Sequence, residues 1–220
     1  MQEHLPTFLS AIVGDVFDIE HWPMANLSGA GLAIAVGQLL RSRSERGRDI
    51  LLEEVRHGEK SLGPADLDHA VAALLRYVRA SREGAARLNL RLMAKVIADQ
   101  AYQGDLYADK FLRYADVLAG LRREEVILLG ALQRHWSNSD LLRVPEQDRM
   151  SEARRRISTE LVPMPFPDEV ELAAAESAIL RTGFVASSSV FGGVVYQPTW
   201  SFMRLCSFVS FDATLRAEPA

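Results

Sequence analysis

The sequence contains one cysteine, Cys206, so no disulfide can form within the chain and a zinc site built from several cysteines is excluded. Lysine is also scarce, since only three of the 25 cations are lysine and the rest are arginine. Acidic residues outnumber basic ones by 29 to 25, which gives a formal net charge of −4. The chain therefore lacks the overall basic charge that is typical of nucleic-acid-binding domains. The shortage of cysteine favours a reducing compartment, and we expect the protein in the cytoplasm.

Motifs of the common catalytic and cofactor-binding sites are missing from the sequence. Its five histidines show neither the i, i+4 spacing of paired metal ligands nor an HExxH motif, and there is no P-loop or GxGxxG turn. The serine run 187–189 does not belong to a GxSxG elbow. We therefore expect no metal, no cofactor and no catalytic residue. An enzyme whose site is assembled between helices remains an open alternative.

Long apolar runs are also lacking, although one segment comes close. Residues 22–40 carry no formal charge, and their length is about that of a membrane-spanning helix. The segment includes Gly29, Gly31 and Gly37 and few large aliphatic residues, so its insertion into a bilayer would be marginal. We interpret it as a buried helix with a small-residue face. A membrane-acting effector that inserts residues 22–40 is kept as an alternative function.

The hydrophobic pattern predicts a mainly α-helical protein. Apolar residues recur at helical spacing over 105–119, 122–136 and 147–161, and the longest such pattern runs from Pro64 to Tyr102. As one helix the longest pattern would extend roughly 58 Å, which exceeds a compact domain. We therefore expect it to break near Gly84. The charged segment 41–49 is compatible with either a helix or a loop.

A change in composition after residue 161 predicts a domain boundary. The segment 162–167 holds three prolines, which favour an extended linker. We predict a multi-helix bundle over residues 1–161 and a small α+β module over residues 168–220.

The C-terminal module has the sequence signals of a helix, a β-hairpin and a second helix. The first helix covers 168–182 and ends at Gly183. The hairpin has its first strand at 184–185, a turn region at 187–193 that includes Gly192 and Gly193, and its return strand at 194–196. The final helix covers 199–211. This order is winged-helix-like, but the first helix is acidic, so the sequence disfavours reading of DNA through it.

Four arginines of the long helical pattern fall on the face opposite its apolar residues: Arg76, Arg79, Arg87 and Arg91. Such a stripe suits contact with phosphates, which makes a nucleic-acid-binding protein a further alternative. However, Glu83 interrupts the stripe, and residues 61–143 hold twelve basic and ten acidic residues. We favour a solvated face whose arginines pair with neighbouring acids.

Asn89 falls within the apolar face of the same long pattern. A buried asparagine must find hydrogen-bond partners, and such residues often fix the register of packed helices. We predict a structural role for Asn89, with a ligand site as the alternative.

The last predicted helix is rich in aromatic residues: Trp200, Phe202, Phe208 and Phe211. Aromatic residues of this kind either dock a helix on a core or form a subunit interface. We expect a homo-oligomer in which these four residues contribute to the contact, and the sequence identifies no other protein partner.

Three parts of the chain resemble the Abi-alpha (abortive-infection alpha) type of helical proteins from bacteria and phages. They are RLNLRLMAKVIADQ (87–100), FLRYADVLAGLRREEVILLGAL (111–132) and the end LRTGFV (180–185) with VVYQPT (194–199). The resemblance implies a bacterial or phage-related setting, in phage defence or a prophage, and transfers no functional residue. Together these observations predict a non-catalytic interaction or regulatory protein that self-associates.

Overall fold

The computed structural model describes residues 30–55, 67–103, 106–145, 148–190 and 193–218. Within these ranges it is mainly helical, with nine α-helices and one two-stranded antiparallel hairpin near the C-terminus. The predicted fold class is thereby confirmed. The chain divides into two compact units, the first ending at Gly120 and the second beginning at Leu121.

Four helices make up the described part of the first unit: α1 (Ala30–Val55), α2 (Leu67–Glu83), α3 (Arg87–Gln103) and α4 (Ala108–Ala119). The charged segment 41–49 is helical, because α1 continues through it without a break. Its Gly47 is buried, and the Tyr77 hydroxyl of α2 donates to the Gly47 carbonyl at 2.9 Å. The predicted N-terminal half of the uncharged segment, 22–29, lies outside the described residues.

The break that separates α2 from α3 lies where the sequence predicts it. Gly84 has φ +95°, in the left-handed region that side chains other than glycine rarely adopt. A Cβ atom at this position would also lie 3.0 Å from the Arg43 guanidinium carbon. The prediction of one interrupted helical pattern is therefore confirmed, and the two halves form separate elements.

The second unit contains α5 (Arg123–Trp136), α6 (Arg149–Leu161), α7 (Glu169–Ile179), the strands β1 (Val185–Val190) and β2 (Gly193–Pro198), α8 (Trp200–Phe208) and α9 (Phe211–Ala217). Short 3₁₀ turns cover Leu141–Arg143 and Leu180–Thr182. The hairpin pairs Val185 with Pro198 and Val190 with Gly193. The turn region predicted over 187–193 is wrong for residues 187–190, because their backbone pairs with residues 193–196 and continues β1. Gly183, at φ +69°, ends the helical segment before β1, as the sequence predicts.

The end of the chain differs from the single helix predicted over 199–211. Val209 and Ser210 adopt extended backbone angles, and the Ser210 hydroxyl accepts from the Ala213 amide to begin α9. Val209 and Phe211 are both buried and Ser210 between them is exposed, so the extended backbone at the break directs two alternate apolar side chains into the core. A period of 3.6 residues alone did not reveal a serine cap inside an apolar run.

The proline-rich segment 162–167 lies inside the second compact unit, where Phe166 is buried. The contacts of the chain thus divide it at residue 120 instead of at the prolines. The division into 1–161, a linker and 168–220 stays a prediction about domains.

Candidate interaction surface

The four predicted interface aromatics occupy three different environments in the second unit. Phe202 and Phe211 are fully buried, with ring centroids 5.8 Å apart, and the Phe184 ring contacts Phe202 in a tilted arrangement at 6.0 Å. Phe208 is half-buried. Trp200 has 68% of its surface exposed. Of the two predicted roles, Phe202 and Phe211 dock the helix on the core, whereas Trp200 is exposed where a partner could contact it.

The exposed side of α8 carries a surface that we call the α8 face, formed by Trp200, Met203 and Arg204. The three residues are spaced i, i+3 and i+4, which places them on one side of a helix. Met203 is 39% exposed, and the Arg204 guanidinium carbon lies 5.4 Å from the Trp200 ring centroid in a cation–π contact. Phe202 and Leu205, on the opposite side, anchor α8 in the core. The result is a rigid helix that displays three residue types enriched at protein interfaces.

Thr199 fixes where α8 begins. Its side-chain oxygen accepts from the Phe202 amide, and its own hydroxyl donates to the Gly183 carbonyl at 2.8 Å. The backbone amide of Thr199 also donates to the Phe184 carbonyl at 2.8 Å. Because the cap is tied to the start of the hairpin, the first turn of α8 and Trp200 within it are held in place.

A second exposed surface of the same unit lies on α7, and we call it the α7 face: Val170, Glu171 and Ala174. Val170 is 73% exposed, and Glu171 and Ala174 are exposed as well. The helix is oriented by its cap, since the Asp168 carboxylate accepts from the amides of Val170 and Glu171 at 2.9 Å each. The α7 face is apolar and carries negative charge, in contrast to the cationic α8 face.

The predicted arginine stripe does not form one surface, because the break at Gly84 places its members on two helices. Arg79 is exposed and binds Glu83, and Arg87 is exposed on α3. Arg76 is mostly covered, and its Nε lies 2.7 Å from the Asp116 carboxylate. Arg91 is only 7% exposed and contacts the carboxylates of Glu53 and Glu54 at 2.9 and 2.8 Å. Three of the four arginines are thus already matched to acids inside the first unit.

Arg91 and its two carboxylates connect α3 to α1. Nearby, burial raises the pKa of Tyr77, an effect that the charge of Arg91 opposes. The cluster is a structural feature of the helix contacts, since Arg91 and Glu54 are largely buried against each other, whereas Glu53 reaches Arg91 from the exposed side.

Asn89 is buried, and its Nδ2 donates to the Ala119 carbonyl at 3.0 Å. Ala119 is the last residue of α4, where helix carbonyls have no partner within the helix. Asn89 therefore ties α3 to the end of α4, which fits the structural role that its position predicts.

A small recess in the second unit holds a partly buried ion pair of Arg154 and Glu176. It is lined by apolar residues of α5, α6, α7 and β1 together with Arg154, Glu176 and Tyr196, and its volume is about 20 Å³. That volume accommodates about one water molecule. Burial raises the pKa of Glu176, although Arg154 acts to lower it. The recess is too small for a substrate-sized ligand, and its charges link α6 to α7.

The remaining arginines of the run 154–156 are also paired with acids. Arg155 and Arg156 both bind Glu152, and their hydrogen bonds lower the pKa of that carboxyl to about 2. Among the residues that the structure describes, no group of three histidine, cysteine or acidic side chains is arranged to hold a metal ion. Burial raises the pKa of the Cys206 thiol to about 12, so this side chain is protonated at neutral pH. Within the described ranges, no helix has the length and apolar character needed to cross a membrane.

Comparisons with protein families, with curated proteins and with solved structures found no match to this chain. The interaction surfaces must therefore be judged on their own geometry.

Sequence reasoning selected Trp200 but missed Met203, Arg204 and the whole α7 face. The spacing i, i+3, i+4 from Trp200 was the available signal for the first two. No pattern in the sequence marks Val170 as exposed, because an isolated valine in an amphipathic helix is usually assigned to the core.

Proposed function

We propose that this chain is a non-catalytic interaction protein of the cytoplasm that binds another protein chain through the α8 face. The observation that carries the proposal is the exposure of Trp200 on a capped, core-anchored helix. A large aromatic side chain costs free energy when it stays in water and gains it on burial in a partner's pocket. Met203 and Arg204 beside it extend the same surface with an adaptable apolar group and a cation.

Replacing Trp200 tests this proposal directly. Trp200→Ala is expected to abolish partner binding or assembly while leaving the melting temperature unchanged, since Trp200 makes little of the core. Light scattering would measure the mass of the purified chain, and affinity capture from a bacterial lysate would compare the proteins retained by wild type and variant.

Leu142→Ala is the matched control, because Leu142 is 66% exposed in the same unit but lies outside α8. The control should keep both the mass and the captured proteins of the wild type. If neither quantity depends on Trp200, the α8 face is not a binding surface and the proposal is wrong.

We further propose that the interaction serves conflict between a bacterium and its phages. The support is the resemblance of segments 87–100, 111–132 and the C-terminal end to Abi-alpha proteins. A bacterial host that expresses the chain is expected to show reduced plating of at least some phages, and Trp200→Ala should restore plating. Equal plating with and without the chain, across a broad phage panel, would count against this setting.

A further inference from the structure

The second unit displays two exposed surfaces of opposite charge that suit each other. The α8 face presents Trp200, Met203 and the cationic Arg204, and the α7 face presents Val170, Ala174 and the anionic Glu171. We propose that the partner of the α8 face is the α7 face of a second copy of this chain. This inference rests on the proposed function, because it names the occupant of the surface described there.

Size and shape support this pairing. Trp200 and Met203 project from α8, whereas Ala174 leaves room beside Val170 on α7, so large side chains meet small ones. Val170 is 73% exposed, and covering it together with Trp200 removes two large apolar groups from water in one contact.

Charge supports the pairing as well. Glu171 is exposed beside Val170, while the other two acids at the start of α7 are engaged: Asp168 caps the helix and Glu169 binds Arg154. Arg204 brings a positive charge over the Trp200 ring. In the assembly Glu171 of one copy lies opposite Arg204 of the other, which orients the contact, and repulsion between two Arg204 side chains disfavours a pairing of two α8 faces.

The two faces are different surfaces of the same chain, so the contact is heterologous unless a twofold axis makes it occur twice. Each copy then offers one face to each neighbour. The contact involves one side of two short helices, so we expect weak assembly that depends on protein concentration and weakens with added salt.

Reversing the charge of Arg204 or of Glu171 tests the inference. Arg204→Glu places two acids opposite each other, and Glu171→Arg places two cations opposite each other. Each variant alone is expected to weaken assembly at least about tenfold, as measured by light scattering over about 1 µM to about 1 mM. Mixing the two variants restores assembly, because every contact between unlike chains then joins opposite charges.

The mixture distinguishes two explanations for weak assembly of the single variants: loss of a contact between copies and damage to the fold. A misfolded variant gains nothing from a second misfolded variant, whereas restored assembly requires the two surfaces to meet in trans. The melting temperatures of both variants should match the wild type, and the double variant Arg204→Glu with Glu171→Arg should assemble by itself. Loss in both single variants with recovery in the mixture and in the double variant would support the inference.

Three results would overturn it. A wild-type chain that stays monomeric at the highest concentration excludes self-association. A Glu171→Arg chain that assembles as well as the wild type shows that the α7 face and the α8 face do not bind each other. A mixture that stays as weak as its components has the same meaning. The proposed function fails separately, because it requires only that Trp200→Ala lose a protein partner of any identity.

Discussion

Two buried amide side chains of α3, Asn89 and Gln100, differ in whether their hydrogen-bonding groups have partners. Asn89 has a carbonyl at the end of α4 as its acceptor. Gln100, eleven residues later on α3, is 1% exposed, and neither Nε2 nor Oε1 of its side chain has a hydrogen-bond partner among the residues that the structure describes. An amide removed from water without a partner costs about 1–3 kcal/mol. Gln100 therefore weakens the unit that it helps to fill.

Gln100→Met is expected to raise the free energy of unfolding by about 1–2 kcal/mol, because methionine keeps the length of the side chain and removes both unsatisfied atoms. The two residues have nearly equal helix propensity, so the backbone adds little to the difference. Urea unfolding followed by circular dichroism measures the change.

Gln103→Met is the matched control on the same helix. Gln103 is exposed and donates to Asp99, so the substitution there should bring no gain. A Gln100→Met variant that is less stable than the wild type would instead show that the amide has a partner in solution, such as bound water.

The same scale explains why the candidate surface was only partly predictable. Trp200 and Phe202 are two residues apart in one apolar run, yet one is exposed and the other has no exposed surface. Hydrophobicity makes both of them candidates for burial or for an interface. Only the start of α8 at Trp200, fixed by the Thr199 cap, decides which of the two faces the core.

At the scale of elements, the sequence predicted helix breaks where glycine supplies the backbone angle. Gly84 and Gly183 both have positive φ, and both end helical segments close to the expected positions. The sequence did not predict the break at Ser210, because a single serine within an apolar run occurs both as a helix cap and as a polar residue inside one continuous helix. Local backbone rules are therefore visible in the sequence, whereas a break that is imposed by packing is not.

Contacts between elements were the least predictable part. Gly130 of α5 lies under α9, so that a Cβ atom there would lie 2.9 Å from the Asp212 carboxylate and 3.5 Å from the Phe211 Cβ. Arg134 of α5 binds Asp212 of α9 and Glu160 of α6. Asp212 lies 78 positions from Arg134 along the chain, and Glu160 lies 26 positions from it. No periodic pattern in the sequence predicts contacts over such separations.

At the scale of the whole molecule, most described arginines that the sequence offered for anion binding are matched to carboxylates within their own unit. Arg91 and Arg154 each bind two acids, and Arg155 and Arg156 share one. Several charged residues of the described part of the chain are thus used in internal ion pairs. Ion pairs of this kind make the free energy of unfolding depend on pH. The two buried carboxyls of Glu125 and Glu176 change it in opposite directions.

Glu125 is stabilised in its charged form. Burial acts to raise its pKa, but hydrogen bonds from Arg181 and from the Arg122 amide outweigh burial and leave the pKa below its ordinary value. A carboxyl with a lowered pKa adds stability above its unfolded-state pKa, and that contribution is lost as the pH falls through the folded-state pKa. Glu176 has the opposite sign, since burial raises its pKa despite Arg154. Its charged form costs stability, and the cost disappears as the pH falls to the unfolded-state value of about 4.3.

Neutral substitutions at these two positions should therefore shift stability in opposite directions. At pH 7, Glu125→Gln is expected to lower the free energy of unfolding by about 1–2 kcal/mol, because it weakens the bond to Arg181 and the helix cap. Glu176→Gln is expected to raise it, because the buried charge is removed while Arg154 keeps Glu169 as a partner. The Glu176 difference should shrink at pH 4, whereas the Glu125 difference should persist there in large part and shrink only as the pH falls through the lowered folded-state pKa of Glu125. Urea unfolding at pH 7, at pH 4 and at about pH 3 measures both differences. An equal loss of stability in both variants at pH 7 would show that the Arg154–Glu176 pair, like that of Glu125, stabilises the second unit in its charged form.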